Sequence, residues 1–178
     1  MTFSNHLKGK IIISFLILLL VISCSTPPKN SDFGIKLDVV MQSNDSIHVY
    51  YMTDGTINFK EENSFWTKMK GNKKNQKITL QFPDDIVPNQ FRIDFGKNPN
   101  QPDIVLNKVE CFYKNDSFVL KGKQIYWILR IDEANTILER DLGILKRLKP
   151  KQLNGPSLYP NGDFLKKKLE QLTTKRTK

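Results

Sequence analysis

Short runs of alternating apolar and polar residues, each closed by a turn former, constrain this chain more than any other feature. In Phe33 to Met41, Ile35, Leu37 and Val39 share one phase while Lys36 and Asp38 share the other. That period of two places alternate side chains on opposite faces of a strand. Asp45 to Thr53 repeats it, with Ile47, Val49 and Tyr51 against Ser46, His48 and Tyr50, and Asp54-Gly55 follows, a dipeptide that favours positive backbone angles in tight turns. Lys77 to Phe82 alternates through Ile78, Leu80 and Phe82 and stops at Pro83, which has no amide proton for a ladder. In Phe91 to Phe95 the apolar phase is Phe91, Ile93 and Phe95, which leaves Arg92 and Asp94 outward.

Ile104 to Tyr113 is longer and changes parity: Ile104 and Leu106 share one phase, while Val109, Cys111 and Tyr113 share the other. A bulge at Asn107-Lys108 reconciles the two. Phe118 to Leu120 and Gln124 to Ile131 add two apolar runs around Lys121-Gly122-Lys123, whereas Thr56 to Gln76, with Phe59, Phe65, Trp66 and the lysine-rich turn at Lys70 to Lys74, reads as loop or short strand. Several short strands at roughly ten-residue spacing predict a mainly β, antiparallel sandwich or barrel rather than alternating strand and helix. Ile137 to Leu148 fits a helix through Leu138, Leu142, Leu145 and Leu148, and also strand pieces broken at Gly143. Asp163 to Leu172 reads as a helix with Asp163 as its cap and Phe164, Leu165, Leu169 and Leu172 on one side.

The start of the chain carries an address. Lys8 and Lys10 precede an apolar run of 12 residues, Ile11 to Ile22, too short for the roughly 20 residues that span a bilayer and suited to a signal-peptide core. The tetrapeptide Val21-Ile22-Ser23-Cys24 resembles the lipobox of bacterial lipoproteins. That resemblance implies diacylglycerol on the Cys24 thiol, cleavage before it and acylation of the new amino end, hence a membrane partner held through lipid on Cys24. An ordinary cleaved signal and an uncleaved anchor are the alternatives. Ser25 to Asp32, STPPKNSD, has no apolar period and suits an extended tether. The expected location is the cell envelope: the outer membrane if the host has two membranes, since Ser25 resembles the outer-membrane sorting pattern, and otherwise the outer face of the plasma membrane.

The resulting division is a signal peptide at 1–23, a tether at 24–32, a β-sandwich domain at 33–160 and a basic C-terminal helix and tail at 161–178. About 155 residues follow Cys24, enough for one domain with a real core. Only Cys111 remains there, so no intramolecular disulfide is available, and its strand-like surroundings read as a core position. Cys24 to Gly143 holds 16 basic and 16 acidic residues, whereas Ile144 to Lys178 holds 10 basic and 2 acidic. That basic end suits either a solvated tail or contact with anionic head groups or an anionic envelope polymer. Nucleic acid is not expected as a partner of an exported lipoprotein.

The segments HVYYMTDGTINFKEENSF, FPDD, FRIDFG and IVLNKVECFY together resemble the jelly-roll sandwich of galactose-binding-like and carbohydrate-binding modules, over roughly residues 33–130. The resemblance implies that Ile137 to Leu148 is a further strand pair and that the domain binds a glycan. Catalytic patterns are missing. His48 is the one histidine after the signal peptide, too few for the usual zinc sites with Cys111, and no phosphate loop, nucleophile elbow or metalloprotease motif occurs. The pairs Glu61-Glu62, Asp84-Asp85 and Asp132-Glu133 read as solvated turns, since neighbouring strand residues point to opposite faces, with calcium at Asp84 and Asp85 as an alternative. No cofactor, metal or enzymatic activity is expected. The candidate ligand residues are Trp66, Tyr50, Arg92 and Asp94, an aromatic pair and a polar pair suited to stacking and orientation. Packing for Trp66 and Trp127, and a surface ion pair for Arg92 with Asp94, are the bland alternatives. The competing role is docking on a protein partner as an accessory subunit or inhibitor.

Overall fold

The computed structural model describes residues 32–174, so the signal peptide, Cys24, nearly all of the tether and the last four residues lie outside the described residues. The chain forms two antiparallel sheets that pack face to face. Strands β1 (Phe33–Met41), β4 (Asn72–Gln81), β6 (Ile104–Tyr113), β7 (Asp116–Lys121), β9 (Thr136–Glu139) and β10 (Ile144–Arg147) make the first. Strands β2 (Asp45–Met52), β3 (Ser64–Met69), β5 (Gln90–Phe95), β8 (Leu129–Ile131) and β11 (Ser157–Pro160) make the second, in the order β3-β2-β5-β11-β8. The chain crosses repeatedly from one sheet to the other, as a jelly-roll does.

The alternating pattern drives this arrangement. Ile35, Leu37, Val39, Ile47, Val49, Phe91, Ile93 and Phe95 are all fully buried between the sheets, and each such side chain contributes roughly 1.5–3 kcal/mol by leaving water. The parity change in β6 is a bulge as expected: Asp38 pairs with Lys108 but Val39 pairs with Leu106, leaving Asn107 as the inserted residue. Both halves of β6 therefore face the core, with Ile104, Leu106, Val109 and Cys111 buried. Burial pushes the Cys111 thiol well above its ordinary range, so it packs as a small hydrophobe.

Ile137 to Leu148 is a strand pair, β9 and β10, joined through Gly143 at φ 65°. One strand expectation is corrected. The run Gln124 to Ile131 is not one strand: Ile125–Ile128 forms the short helix α1 and only Leu129–Ile131 pairs as β8. Its apolar residues are contiguous rather than alternating, so a helical turn can bury Ile125 and Tyr126 together while Trp127 is turned out, 60% exposed. Thr56 to Gln76, open between loop and short strand, contains β3 and the start of β4, a hairpin turning at Lys70-Gly71.

The C-terminal helix α2 (Phe164–Thr174) buries Leu165, Leu169 and Leu172 against β5 and β11 of one sheet and β6 and β7 of the other, closing one side of the sandwich. The carbonyl of Asp163 accepts the Lys167 amide at 3.0 Å, the helix's first bond. Phe164, expected on the buried side, lies about 100° around the helix from Leu165 and is largely exposed.

Candidate functional site

On the outer face of the second sheet, pairing puts a set of polar and aromatic side chains side by side. His48 of β2 lies opposite Trp66 of β3 on one side and Asp94 of β5 on the other, while Tyr50 lies opposite Arg92. All four sequence-predicted ligand residues, Trp66, Tyr50, Arg92 and Asp94, line one cleft of about 130 Å³ with His48, Gly96, Lys97, Asn154 and Gly155. Trp66 is in a strand, one of the two states open for its segment, and it is 40% exposed, so it is not a core residue.

His48 is the main departure from the sequence reading. Its phase is outward, yet it is 2% exposed, because the Trp66 ring stacks on it at 3.8 Å between centroids and Tyr50 packs beside it at 4.1 Å. Its Nε2 has no hydrogen-bond partner and lies 3.7 Å from Glu61 Oε1. An unpaired buried polar atom is uncommon and costly, and here it lies in the wall of a cleft. Burial lowers the pKa of His48, only partly opposed by the charges of Glu61 and Asp94. The folded protein therefore binds a proton at His48 less readily than the unfolded chain does. Stability from this group is complete above the unfolded value near 6.5 and declines as pH falls below it toward the depressed folded value. Urea denaturation at pH 7.5 and 5.5 is expected to show the wild type losing more stability on acidification than His48→Phe, and equal losses would exclude His48 as the source.

The centre of the face is held rigidly. Arg92 donates from Nε to Asp94 Oδ1 at 2.7 Å and from Nη2 to Oδ2 at 2.6 Å, a bidentate pair. Its guanidinium sits between the rings of Tyr50 and Tyr159, at 4.9 and 4.5 Å, the geometry of cation–π contact. Burial works against the charge of Arg92, but the bonds and charge of Asp94 more than offset it and raise the pKa. Arg92 with Asp94 is thus a partly buried element of the cleft. Tyr50 donates its hydroxyl to Glu61 Oε2 at 2.8 Å, and burial together with that bond pushes its pKa up to about 12. The Lys97 ammonium lies 4.5 Å from the Trp66 ring.

The far wall is backbone from two loops. Asp45 Oδ1 accepts the amides of Lys97 and Asn98 at 2.9 and 3.2 Å, and Arg147 donates to the carbonyls of Asn98, Gln101 and Gln152. The Gly155 amide donates to Gly96 O at 2.9 Å. Both glycines are required: Gly96 has φ 82°, and a Cβ on Gly155 would lie 1.7 Å from Phe95 O. These ties fix the cleft's shape before any ligand arrives, which reduces the ordering cost of binding.

Sequence reasoning missed His48, Glu61, Lys97 and Tyr159. Glu61 belongs to an acidic pair read as solvated; it is exposed but oriented by Tyr50. Tyr159 gave no signal, because β11 has only four residues. Asp84 and Asp85 lie in the turn after β4, and among the described residues no three His, Cys, Asp or Glu side chains converge as a metal set. No family model, curated protein or solved structure matches this chain.

Proposed function

We propose that this protein is a lipid-anchored envelope protein whose sandwich binds a glycan non-covalently in the cleft around Trp66. The observation that carries the reading is the convergence of a half-exposed indole, an oriented Arg92–Asp94 pair and the unpartnered Nε2 of buried His48 in one cleft. A sugar ring offers an apolar face for the indole and hydroxyls that both donate and accept, which suits Asp94, Arg92 and His48 together. Lys97, exposed and flexible, moves aside from Trp66 or bonds the ligand directly. The volume of about 130 Å³ is below the usual 300–1,000 Å³ of small-molecule pockets, so the cleft takes one sugar unit rather than a long run. The resemblance of residues 33–130 to galactose-binding-like modules supports the same reading, and the lipobox-like Val21-Ile22-Ser23-Cys24 supports the anchor.

The test is a glycan array and envelope-polysaccharide screen at low and high salt. The expected result is a salt-resistant ligand whose affinity falls about tenfold or more in Trp66→Ala, corresponding to ~1.4 kcal/mol for one lost aromatic contact. Binding that disappears with salt and ignores Trp66 would assign it to the basic C-terminal end. Absence of any glycan ligand would turn the assignment to a protein partner.

A further inference from the structure

A concavity larger than the Trp66 cleft lies at the other edge of the same sheet. It measures about 560 Å³, within the usual range for small-molecule sites. Its walls come from β8 with the turn after it, from the β9–β10 hairpin and from the turn before α2. The side chains that matter are Tyr126, Arg130, Asp132, Glu133 and Arg140.

Two features distinguish this basin from an ordinary surface hollow. Tyr126 is 4% exposed and its hydroxyl has no hydrogen-bond partner, a state that burial normally penalises. The two arginines have donors to spare. Among the described residues Arg140 makes no hydrogen bond or ion pair, and Arg130 makes only a long bond to Ile131 O at 3.4 Å, its guanidinium held 5.2 Å from the Tyr159 ring. Burial pushes the Tyr126 hydroxyl up to about 12, with Arg140 pulling the other way, so at neutral pH it is a proton donor. Asp132 Oδ1 accepts the Ala134 amide at 3.1 Å, and Glu133 is exposed; these carboxylates are acceptors on the same rim.

We infer that this basin is a second binding site, for a sugar acid: a carboxylate received by Arg130, Arg140 and the Tyr126 hydroxyl, with hydroxyl groups donated to Asp132 and Glu133. A plain inorganic anion satisfies the arginines but meets the two carboxylates unfavourably. The hydroxyls of a neutral sugar accept from the arginines but leave their two positive charges without a counter-charge. A molecule with one acidic group and several hydroxyls answers both sets, and Arg is suited to planar bidentate carboxylate recognition. The site does not depend on the Trp66 cleft.

The experiment is calorimetric titration of the full chain, purified in detergent, with D-galacturonate, D-galactose and inorganic phosphate, followed by a trimer of galacturonate. The expected result is Arg140-dependent binding of galacturonate at least tenfold tighter than any Arg140-dependent binding of galactose or phosphate, weakened tenfold or more in Arg140→Gln and several-fold in Tyr126→Phe. Arg140 is on the surface and Tyr126→Phe keeps the ring, so neither variant is expected to disturb folding, and a melting curve of each checks this. A trimer that binds more tightly than the monomer identifies a polymer source, and equal affinity a free sugar acid; both uphold the site. Galactose binding as tightly as galacturonate and weakened alike by Arg140→Gln overturns the ligand class, and no binding of any probe, or binding unaffected in both variants, overturns the site.

Discussion

Replacing Gly155 with alanine is expected to lower thermal stability on the order of 10 °C and to abolish the glycan binding proposed for the Trp66 cleft. The added Cβ would sit 1.7 Å from Phe95 O and 2.8 Å from Gly96 O, both backbone atoms, so no side chain can swing away to make room. The 154–155 loop must withdraw from the end of β5, breaking the Gly155 amide bond to Gly96 O and opening the cleft wall. Forcing extra volume into a packed site costs about 3 kcal/mol at the upper end of the usual range. For a domain of this size that corresponds to a shift on the order of 10 °C. Differential scanning calorimetry decides the matter, and a melting temperature within 1–2 °C of wild type (on the order of half a kcal/mol) would mean that the two loops are not held against each other.

Cys24→Ala is expected to move the protein out of the membrane fraction and to remove incorporation of radiolabelled fatty acid. Each buried methylene contributes roughly 0.8 kcal/mol to anchoring, and one acyl chain alone binds only marginally, so losing the lipidated residue leaves little to hold the chain. The apolar run Ile11 to Ile22 is shorter than a bilayer span, and among the described residues no helix is long and apolar enough to cross a membrane. Membrane retention of the variant at wild-type levels would refute the lipoprotein assignment. This prediction and the Gly155 prediction are read separately, one from the membrane fraction and the other from the melting temperature.

The fold was legible where the physics is local. A strand that buries one face must alternate, so Ile35, Leu37 and Val39, or Phe91, Ile93 and Phe95, declare themselves without a partner strand being known. The bulge at Asn107 was visible for the same reason, since a change of parity within one strand has few other solutions. Reading failed where that period was absent. Ile125 to Leu129 is apolar throughout and fits a buried strand or a helical turn equally, and the contact of α1 with α2 and β8 is what selects the turn.

The candidate site followed the same division. That Tyr50, Arg92 and Asp94 point outward could be read from each strand alone, but that they meet depends on the register between β2 and β5, which pairs Tyr50 with Arg92 and His48 with Asp94. A slip of one residue would have turned each strand over. The burial of His48 was beyond sequence reasoning, since an outward histidine is covered only because Trp66 comes from another strand to stack on it. Tyr159 and Arg130, opposite each other on β11 and β8, come from strands of four and three residues that carry no periodicity of their own.

By itself, then, the sequence determined the class of fold, the inward phase of the long strands and the lipobox-like start, because each is set by residues within about ten positions of one another. Tertiary structure alone decided which outward side chains share a cleft, how deeply His48 is covered and that a basin opens around Tyr126. Those outcomes rest on pairings between segments roughly 20 to 110 residues apart, such as His48 with Trp66 and Asp94, and Tyr50 with Tyr159 through Arg92. Long-range register is fixed by the packing of the whole core and leaves no mark in the local pattern of any one strand.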